Sequence, residues 1–203
     1  PVPTATAVPT PVPTATAVPT AVPTATAVPT PTPTAIPSPT PTPDATSYYD
    51  KGGEYWDAGD WEMAIGEYTR AIELNPDFTF AYFERGYSYY QLGQDQNAIN
   101  DFTIAIQLDP NYDMAYNNRG WSYGLLGQDQ NAINDYTIAI QAEPTAWLYH
   151  ERGYAYNEVG QYQNAINDFT MAVQLDSDYA TAWLYNERGY AYNLLGQYQN
   201  SIN

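Results

Sequence analysis

The sequence predicts an all-α solenoid of stacked helix hairpins, preceded by an extended segment that resembles polyproline II. Two stretches of 23 residues, 145–167 and 181–203, differ at only four positions. Five glycines also recur in equivalent surroundings, separated by 34, 34, 33 and 36 residues: Gly52, Gly86, Gly120, Gly153 and Gly189. A period of about 34 residues indicates a stacked array of one supersecondary unit rather than an ordinary globular topology.

Two compositions divide the 203-residue chain, because 14 of its 17 prolines and 13 threonines precede Ala45. We therefore place a low-complexity tract rich in Pro, Thr and Ala at residues 1–44 and one repeat domain at residues 45–203. Proline removes amide donors and fixes φ at about −65°, so the tract cannot form helix or sheet interiors. Its favoured conformer is polyproline II.

The tract has two interpretations. In the favoured one it is an extended spacer on a secreted or surface-tethered protein, because proline beside Thr and Ser is typical of O-glycosylated stalks. In the other it is itself a ligand, since polyproline II segments dock on aromatic grooves. The candidate O-glycosylation sites are Thr4, Thr6, Thr10, Thr14, Thr16, Thr20, Thr24, Thr26, Thr30, Thr32, Thr34, Ser38, Thr40 and Thr42.

From Ala45 onward the apolar pattern is helical. We predict first helices at about 46–58, 80–92, 114–126, 147–159 and 182–195, and second helices at about 62–74, 96–108, 130–142 and 163–175. A glycine follows each first helix, where a left-handed cap favours it: Gly59, Gly93, Gly127, Gly160 and Gly196. Asp60 is the predicted N-cap of the earliest second helix. Pro76, Pro110 and Pro144 follow the first three second helices, as helix termination requires.

Small residues at fixed positions predict close packing within each hairpin. Gly86 on a first helix and Ala98 and Ala105 on the following second helix have equivalents in every complete unit. Such residues let two antiparallel helices approach closely. The large apolar residues around them have helical spacing and are predicted to form the core: Tyr82, Tyr89, Ile99, Phe102, Ile106 and Leu108.

This unit resembles the tetratricopeptide repeat, which has a glycine followed by an aromatic residue three positions later, an Ala-x3-aromatic pattern, a further alanine and a closing proline. The resemblance covers about 45–203, as repeats at 45–78, 79–112, 113–145 and 146–181 and a partial one at 182–203. It implies a right-handed superhelix. Tyrosine replaces the family's frequent tryptophan at five positions: Tyr48, Tyr82, Tyr116, Tyr149 and Tyr185.

A cation precedes each of the five glycines, where the family often has leucine, and an acid follows it at a constant spacing in each complete repeat. Lysine matches glutamate at Lys51 and Glu67, whereas arginine matches aspartate in the later repeats. We predict salt bridges between the helices of each hairpin, which specify their register. The predicted structural pairs are Arg85–Asp101, Arg119–Asp135 and Arg152–Asp168. If the cations that precede the glycines all form internal pairs, Arg70 is essentially the one cation of the outer surface.

The composition argues against catalysis and against several partner classes. The chain has one histidine and no cysteine, so we predict no enzyme, no cofactor and no metal site. Its formal net charge of −17 disfavours nucleic acids and anionic lipids, and it contains no apolar run long enough to enter a membrane. We expect His150 to be a surface or groove residue rather than a general base.

The resemblance implies a concave groove formed mainly by the first helices. Its family positions fall on Phe80, Phe83, Tyr87, Tyr90, Met114, Asn117, Trp121, Leu125, Trp147, His150, Tyr154, Asn157, Trp183, Asn186, Tyr190 and Asn193. This set lacks the Lys/Arg/Asn arrangement with which chaperone-binding relatives hold a terminal carboxylate. Aromatic planes beside amide donors suit a proline-rich extended peptide or a carbohydrate. We expect about half of these rings to pack only against neighbouring repeats.

Three functions remain open. The favoured one is a non-enzymatic structural protein, extracellular or on the surface of a bacterial cell, that self-associates head to tail into a filament. It depends on the proline-rich tract occurring beside an aromatic groove, and on two repeat ends without polar caps. The alternatives are a monomeric scaffold that binds another protein's extended peptide, and a carbohydrate-binding module.

Overall fold

The computed structural model describes residues 44–179 and 182–196. Within these ranges it contains nine α-helices and no strands. The first helices of the hairpins are α1 (Ala45–Ala58), α3 (Thr79–Gln91), α5 (Asp113–Leu125), α7 (Ala146–Glu158) and α9 (Ala182–Leu194). The second helices are α2 (Trp61–Leu74), α4 (Asp95–Leu108), α6 (Asp129–Ala142) and α8 (Tyr162–Leu175).

Each second helix packs against the first helix of its own hairpin and against the first helix of the next one. Successive first helices also contact each other, as α3 does α5 and α5 does α7. The predicted all-α solenoid is therefore confirmed, and the helix bounds agree closely with those expected from the sequence. The extended tract at 1–43 lies outside the described residues.

The turns within the hairpins depend on glycine. The five glycines predicted at these turns all have positive φ, between 67° and 77°. A side chain is strained in this left-handed region, which explains why the position is glycine in every repeat. Asp60 is the N-cap residue of α2, as predicted, although its side chain makes no capping hydrogen bond. At α1 the N-cap residue Asp44 does make one, accepting a hydrogen bond from the Ser47 amide at 2.8 Å.

The core of each hairpin is an aromatic ring seated on a glycine. A Cβ atom placed on Gly86 would lie 2.9 Å from the Phe102 ring, and one on Gly153 would lie 2.8 Å from the Phe169 ring. Both rings are fully buried, as are Ala98 and its equivalents. The small residues therefore act as predicted, because any larger side chain would push the two helices apart.

The predicted ion pairs are present in all complete hairpins. Arg119 donates from Nε and Nη2 to the two carboxylate oxygens of Asp135, at 2.7 and 2.8 Å. Its Nη1 donates to the hydroxyl of Thr103, in the preceding hairpin, at 3.0 Å. Arg85 and Arg152 repeat both contacts. The threonine contact, which sequence reasoning missed, links each repeat to the one before it.

The first hairpin contains the variant pair. Lys51 contacts Glu67 at 3.1 Å, and Arg70 contacts the same carboxylate oxygen at 2.8 Å. Arg70 is therefore a surface cation, as expected from the sequence, since its side chain is 56% exposed, and it is also an ion-pair partner of Glu67. None of the described helices combines the length and apolar character needed to cross a membrane.

Candidate functional site: the first-helix groove

The first helices line one surface, which we call the groove, and aromatic side chains connect neighbouring helices along it. Trp56 of α1 contacts Tyr87 of α3, with ring centroids 5.7 Å apart. Trp121 of α5 stacks on Trp147 of α7 at 5.6 Å with an interplanar angle of 25°. Aromatic contacts therefore join α1 to α3 and α5 to α7 along the groove.

A pocket of about 390 Å³ lies at the middle of the groove. We call it the central pocket, and it is lined by Tyr87, Tyr90, Asn117, Asn118, Trp121 and Trp147. Five of these six residues were predicted groove residues, and Asn118 was missed. The structure thus brings together the positions that the resemblance implied for three consecutive repeats.

Polar atoms of the central pocket have no partners within the described part of the chain. Neither Oδ1 of Asn117 nor Nε1 of Trp121 makes a hydrogen bond there, although both atoms are buried. A buried acceptor or donor without a partner costs free energy that a ligand or water can recover. Residues that line the pocket therefore carry one unsatisfied acceptor and one unsatisfied donor beside flat aromatic faces.

The other predicted groove residues fall into two groups. Eight are exposed: Phe80, Met114, Leu125, Tyr154, Trp183, Asn186, Tyr190 and Asn193. Met114 lines a small neighbouring pocket with Asn117 and Trp147, and Tyr154 lines another with Trp121. The exposed face therefore continues beyond the central pocket in both directions.

Three predicted groove residues are instead buried. Phe83 is 4% exposed, because its ring packs on Phe102 and on Tyr112, which precedes α5. His150 is 2% exposed, and its Nδ1 lies 3.1 Å from the Tyr179 hydroxyl. Asn157 is also buried.

The burial of His150 and Asn157 has a common cause. The ring of His150 lies 4.3 Å from that of Trp183 on α9, and Asn157 lies beside Glu187 on the same helix. Helix α9, the first helix of the following repeat, thus covers both side chains. The resemblance to the family gives the position of a residue on its own helix, but not whether a neighbouring helix covers it. His150 is an interior residue, which corrects the surface or groove placement expected for it.

A second pocket, of about 350 Å³, lies between α1, α2 and α3. We call it the acidic pocket, and its lining combines aromatic and carboxylate side chains: Tyr49, Asp50, Gly53, Glu54, Trp56, Asp57, Tyr68 and Glu84. Burial raises the pKa of the Glu84 carboxyl. Burial, together with the nearby charge of Glu84, also raises the pKa of the Tyr49 and Tyr68 hydroxyls. The pocket is consequently a region of concentrated negative potential.

Sequence reasoning missed the acidic pocket, although a signal was present. Glu84 stands two residues before the repeat glycine Gly86, and the equivalent positions carry Asp50, Asn118, Glu151 and Glu187. Four of the five repeats thus have a carboxylate at one position of the first helix. Asn118, in the central pocket, is the exception.

Within residues 44–179 and 182–196 no three His, Cys, Asp or Glu side chains are grouped so that they could hold a metal ion. His150 is enclosed by aromatic rings and contacts Glu151 and Tyr179. The groove can contact a ligand through aromatic faces, amides and carboxylates.

Comparison with known proteins agrees with this architecture. A model described as TPR repeat matches residues 52–93 and 86–127, and one described as tetratricopeptide repeat matches residues 115–145 and 148–179. Together they cover more than half of the chain. A search of curated protein sequences finds no match.

Several solved structures have the same fold. A crystal structure of the MamA protein is 23% identical, with a TM-score of 0.74, and the match covers 78% of this chain and 86% of that one. MamA 41-end from Desulfovibrio magneticus RS-1 is 21% identical, with a TM-score of 0.73 and coverage of 78% and 89%. YrrB, described as a TPR protein with an unusual peptide-binding site, is 18% identical, with a TM-score of 0.73 and coverage of 78% and 81%. At these identities the likeness shows the fold alone.

Proposed function

Because the repeat region belongs to the tetratricopeptide repeat family, we propose that this chain is a non-enzymatic scaffold that binds an extended polypeptide in its groove. The observation that carries the proposal is the central pocket. There the stacked pair Trp121–Trp147 lies beside two tyrosines and the unpartnered acceptor of Asn117.

A proline-rich segment is the ligand that these features favour. Polyproline II is already extended in solution, so it loses little conformational entropy when it docks on aromatic rings. The Nε1–H of Trp121 can donate to one of its backbone carbonyls, since those carbonyls have no internal partners. The Asn117 acceptor can receive an amide hydrogen from a residue between prolines.

The test is a titration of an uncharged proline-rich peptide, such as a synthetic copy of residues 1–30, followed by calorimetry. Trp121→Ala is expected to weaken binding by at least about tenfold, because it removes one stacking face and the donor. Met171→Ala serves as the matched control, since this partly exposed residue lies on the second helix α8. Equal affinity of the two variants, with both folded by circular dichroism, would contradict the proposal.

Self-association is a second candidate, favoured by the presence of a proline-rich tract and an aromatic groove in one chain. In this arrangement the tract of one molecule occupies the groove of the next, and repetition of the contact builds a filament. Electron microscopy and sedimentation of the chain with and without residues 1–43 test it. Assembly that disappears on deletion supports the tract as the connecting ligand. A monomer at high concentration in both cases refutes self-association.

We also propose that the tract is O-glycosylated and that the protein lies outside a bacterial cell or on its surface. The support is compositional: 13 threonines stand among 14 prolines before Ala45. Mass spectrometry of the protein from its native source tests this proposal. A tract of unmodified mass, together with resistance of the protein to protease added to whole cells, would refute it.

A further inference from the structure

We propose that the acidic pocket is a subsite for a Lys or Arg side chain of the polypeptide bound in the groove. The inference rests on the proposed function, because that polypeptide supplies the cation. It adds a requirement that the central pocket does not impose, namely a basic residue near the proline-rich segment.

The pocket combines the two features that attract an organic cation. The rings of Tyr49, Trp56 and Tyr68 form its aromatic side, and the carboxylates of Asp50 and Glu84 lie among them. Cations bind to the faces of such rings, and they do so more strongly where water is partly excluded. A carboxylate beside the rings adds charge-assisted hydrogen bonds.

Polar groups of the pocket have no partner within the described residues. Tyr68 is only 1% exposed, yet it lines the pocket. Nε1 of Trp56 is buried without a partner. Glu84 is partly buried and forms no ion pair within the described residues, whereas Glu67 pairs with Lys51 and Arg70, and Asp101 pairs with Arg85. The Glu84 carboxylate gains most from an incoming donor, whereas the indole N–H of Trp56 is itself a donor and gains from an acceptor, such as a backbone carbonyl of the same ligand.

The cation must come from another polypeptide. Lys51 and Arg70 both contact Glu67, and Arg85 lies against Asp101 rather than Glu84. Residues 1–43 contain no lysine or arginine. The acidic pocket therefore favours a heterologous partner over the chain's own tract, and this separates the two candidate functions.

One extended ligand can reach both pockets. Trp56 lines the acidic pocket, and its ring lies 5.7 Å from that of Tyr87, which lines the central pocket. At the central pocket the repeat position of Glu84 is occupied by Asn118. Charge therefore distinguishes the two subsites, so that one favours a basic side chain and the other favours uncharged, proline-rich chain.

The experiment uses a panel of proline-rich peptides of one length, uncharged or with a single lysine moved along the sequence. We expect at least one lysine peptide to bind about tenfold more tightly than the uncharged peptide at low salt. Glu84→Gln should remove this gain and leave the affinity of the uncharged peptide unchanged. Glu73→Gln is the matched control, because it removes the same charge from an exposed position of α2.

A second readout separates failure of the inference from failure of the proposed function. N-acetyl-arginine amide is titrated while the indole N–H resonance of Trp56 is followed by nuclear magnetic resonance. A shift of the Trp56 resonance that Glu84→Gln abolishes supports the cation subsite even if no peptide binds. In that case the proposed peptide-binding function is refuted and the cation subsite is not. The inference is overturned if the uncharged peptide and all lysine peptides bind equally, or if Glu73→Gln has the same effect as Glu84→Gln. The proposed function as a peptide-binding scaffold is retained in either case. No shift at Trp56 also overturns the inference.

Discussion

Removing the charge of Asp135 should destabilise the solenoid strongly, because it leaves Arg119 buried without its counterion. The two side chains are 15% and 5% exposed, and two hydrogen bonds of 2.7 and 2.8 Å join them. Breaking a buried pair from one side costs about 3–5 kcal/mol. Since the arginine retains the Thr103 contact and some exposure, we expect Asp135→Asn to cost about 3 kcal/mol, at the lower end of that range.

Urea unfolding followed by circular dichroism measures this loss. With a slope of about 2 kcal/mol per molar urea, the midpoint should fall by about 1.5 M. The double variant Arg119→Met/Asp135→Leu removes both charges and should lie within about 1 kcal/mol of the parent chain. The difference between single and double variants isolates the cost of the unpaired cation.

The first hairpin provides the matched control. Lys51 is half exposed, and its partner Glu67 retains Arg70 when the lysine is lost. Lys51→Met should therefore cost less than about 1 kcal/mol. If Asp135→Asn costs no more than Lys51→Met, or if the double variant is as unstable as the single one, the pairs do not act as buried register contacts and the reasoning fails.

Three further predictions concern single residues, and each is checked by thermal or urea unfolding. Gly153→Ala should cost about 1–3 kcal/mol of stability, because the new Cβ would meet the Phe169 ring. Gly66→Ala, at an exposed helix position with open space around it, should instead stabilise the fold by about 1 kcal/mol. Equal effects of the two substitutions would refute the interpretation that Gly153 allows a close approach of the helices. Gly93→Ala should cost about 1 kcal/mol, since its φ is +69°, and a neutral result would contradict the left-handed cap. Glu84→Gln should raise the midpoint of unfolding at pH 7. Burial in the folded state raises the pKa of the Glu84 carboxyl, so the parent chain loses stability as the pH rises and this carboxyl ionises. The stability gained by the variant should therefore vanish below about pH 4, where the carboxyl is protonated, and a gain that does not depend on pH would show that charge burial is not its cause.

Helix positions and ion pairs could be predicted because their signals are local and recur. Five turn glycines fix the ends of the first helices, and a constant spacing in the sequence places Arg85 opposite Asp101 on the facing helix of one hairpin. Each repeat confirms the others, so a pattern that is weak in one unit becomes clear over five. The same logic explains why the close contact at Gly86 was foreseeable.

The distribution of groove residues between surface and interior was not predictable in this way. Phe80 and Phe83 lie on one helix and both are family groove positions, yet one is 54% exposed and the other 4%. Both rings contact Tyr112, but Phe83 also packs on Phe102 of the facing helix, with ring centroids 5.6 Å apart. The acidic pocket is still harder to predict from the sequence, because its lining comes from three helices whose relative placement depends on packing between repeats.

The double contact of each arginine has a consequence for how such a chain can change length during evolution. Arg119 joins its own hairpin at Asp135 and the preceding hairpin at Thr103, and Arg152 joins Asp168 and Thr137 in the same manner. Every boundary between these hairpins therefore presents the same chemical junction. A duplicated hairpin, inserted at any of these junctions, would keep the arginine contacts to its aspartate and threonine partners without compensating substitutions. Gene duplication could thus lengthen the groove one unit at a time, and the near-identity of residues 145–167 and 181–203 is the pattern that a recent event of this kind leaves.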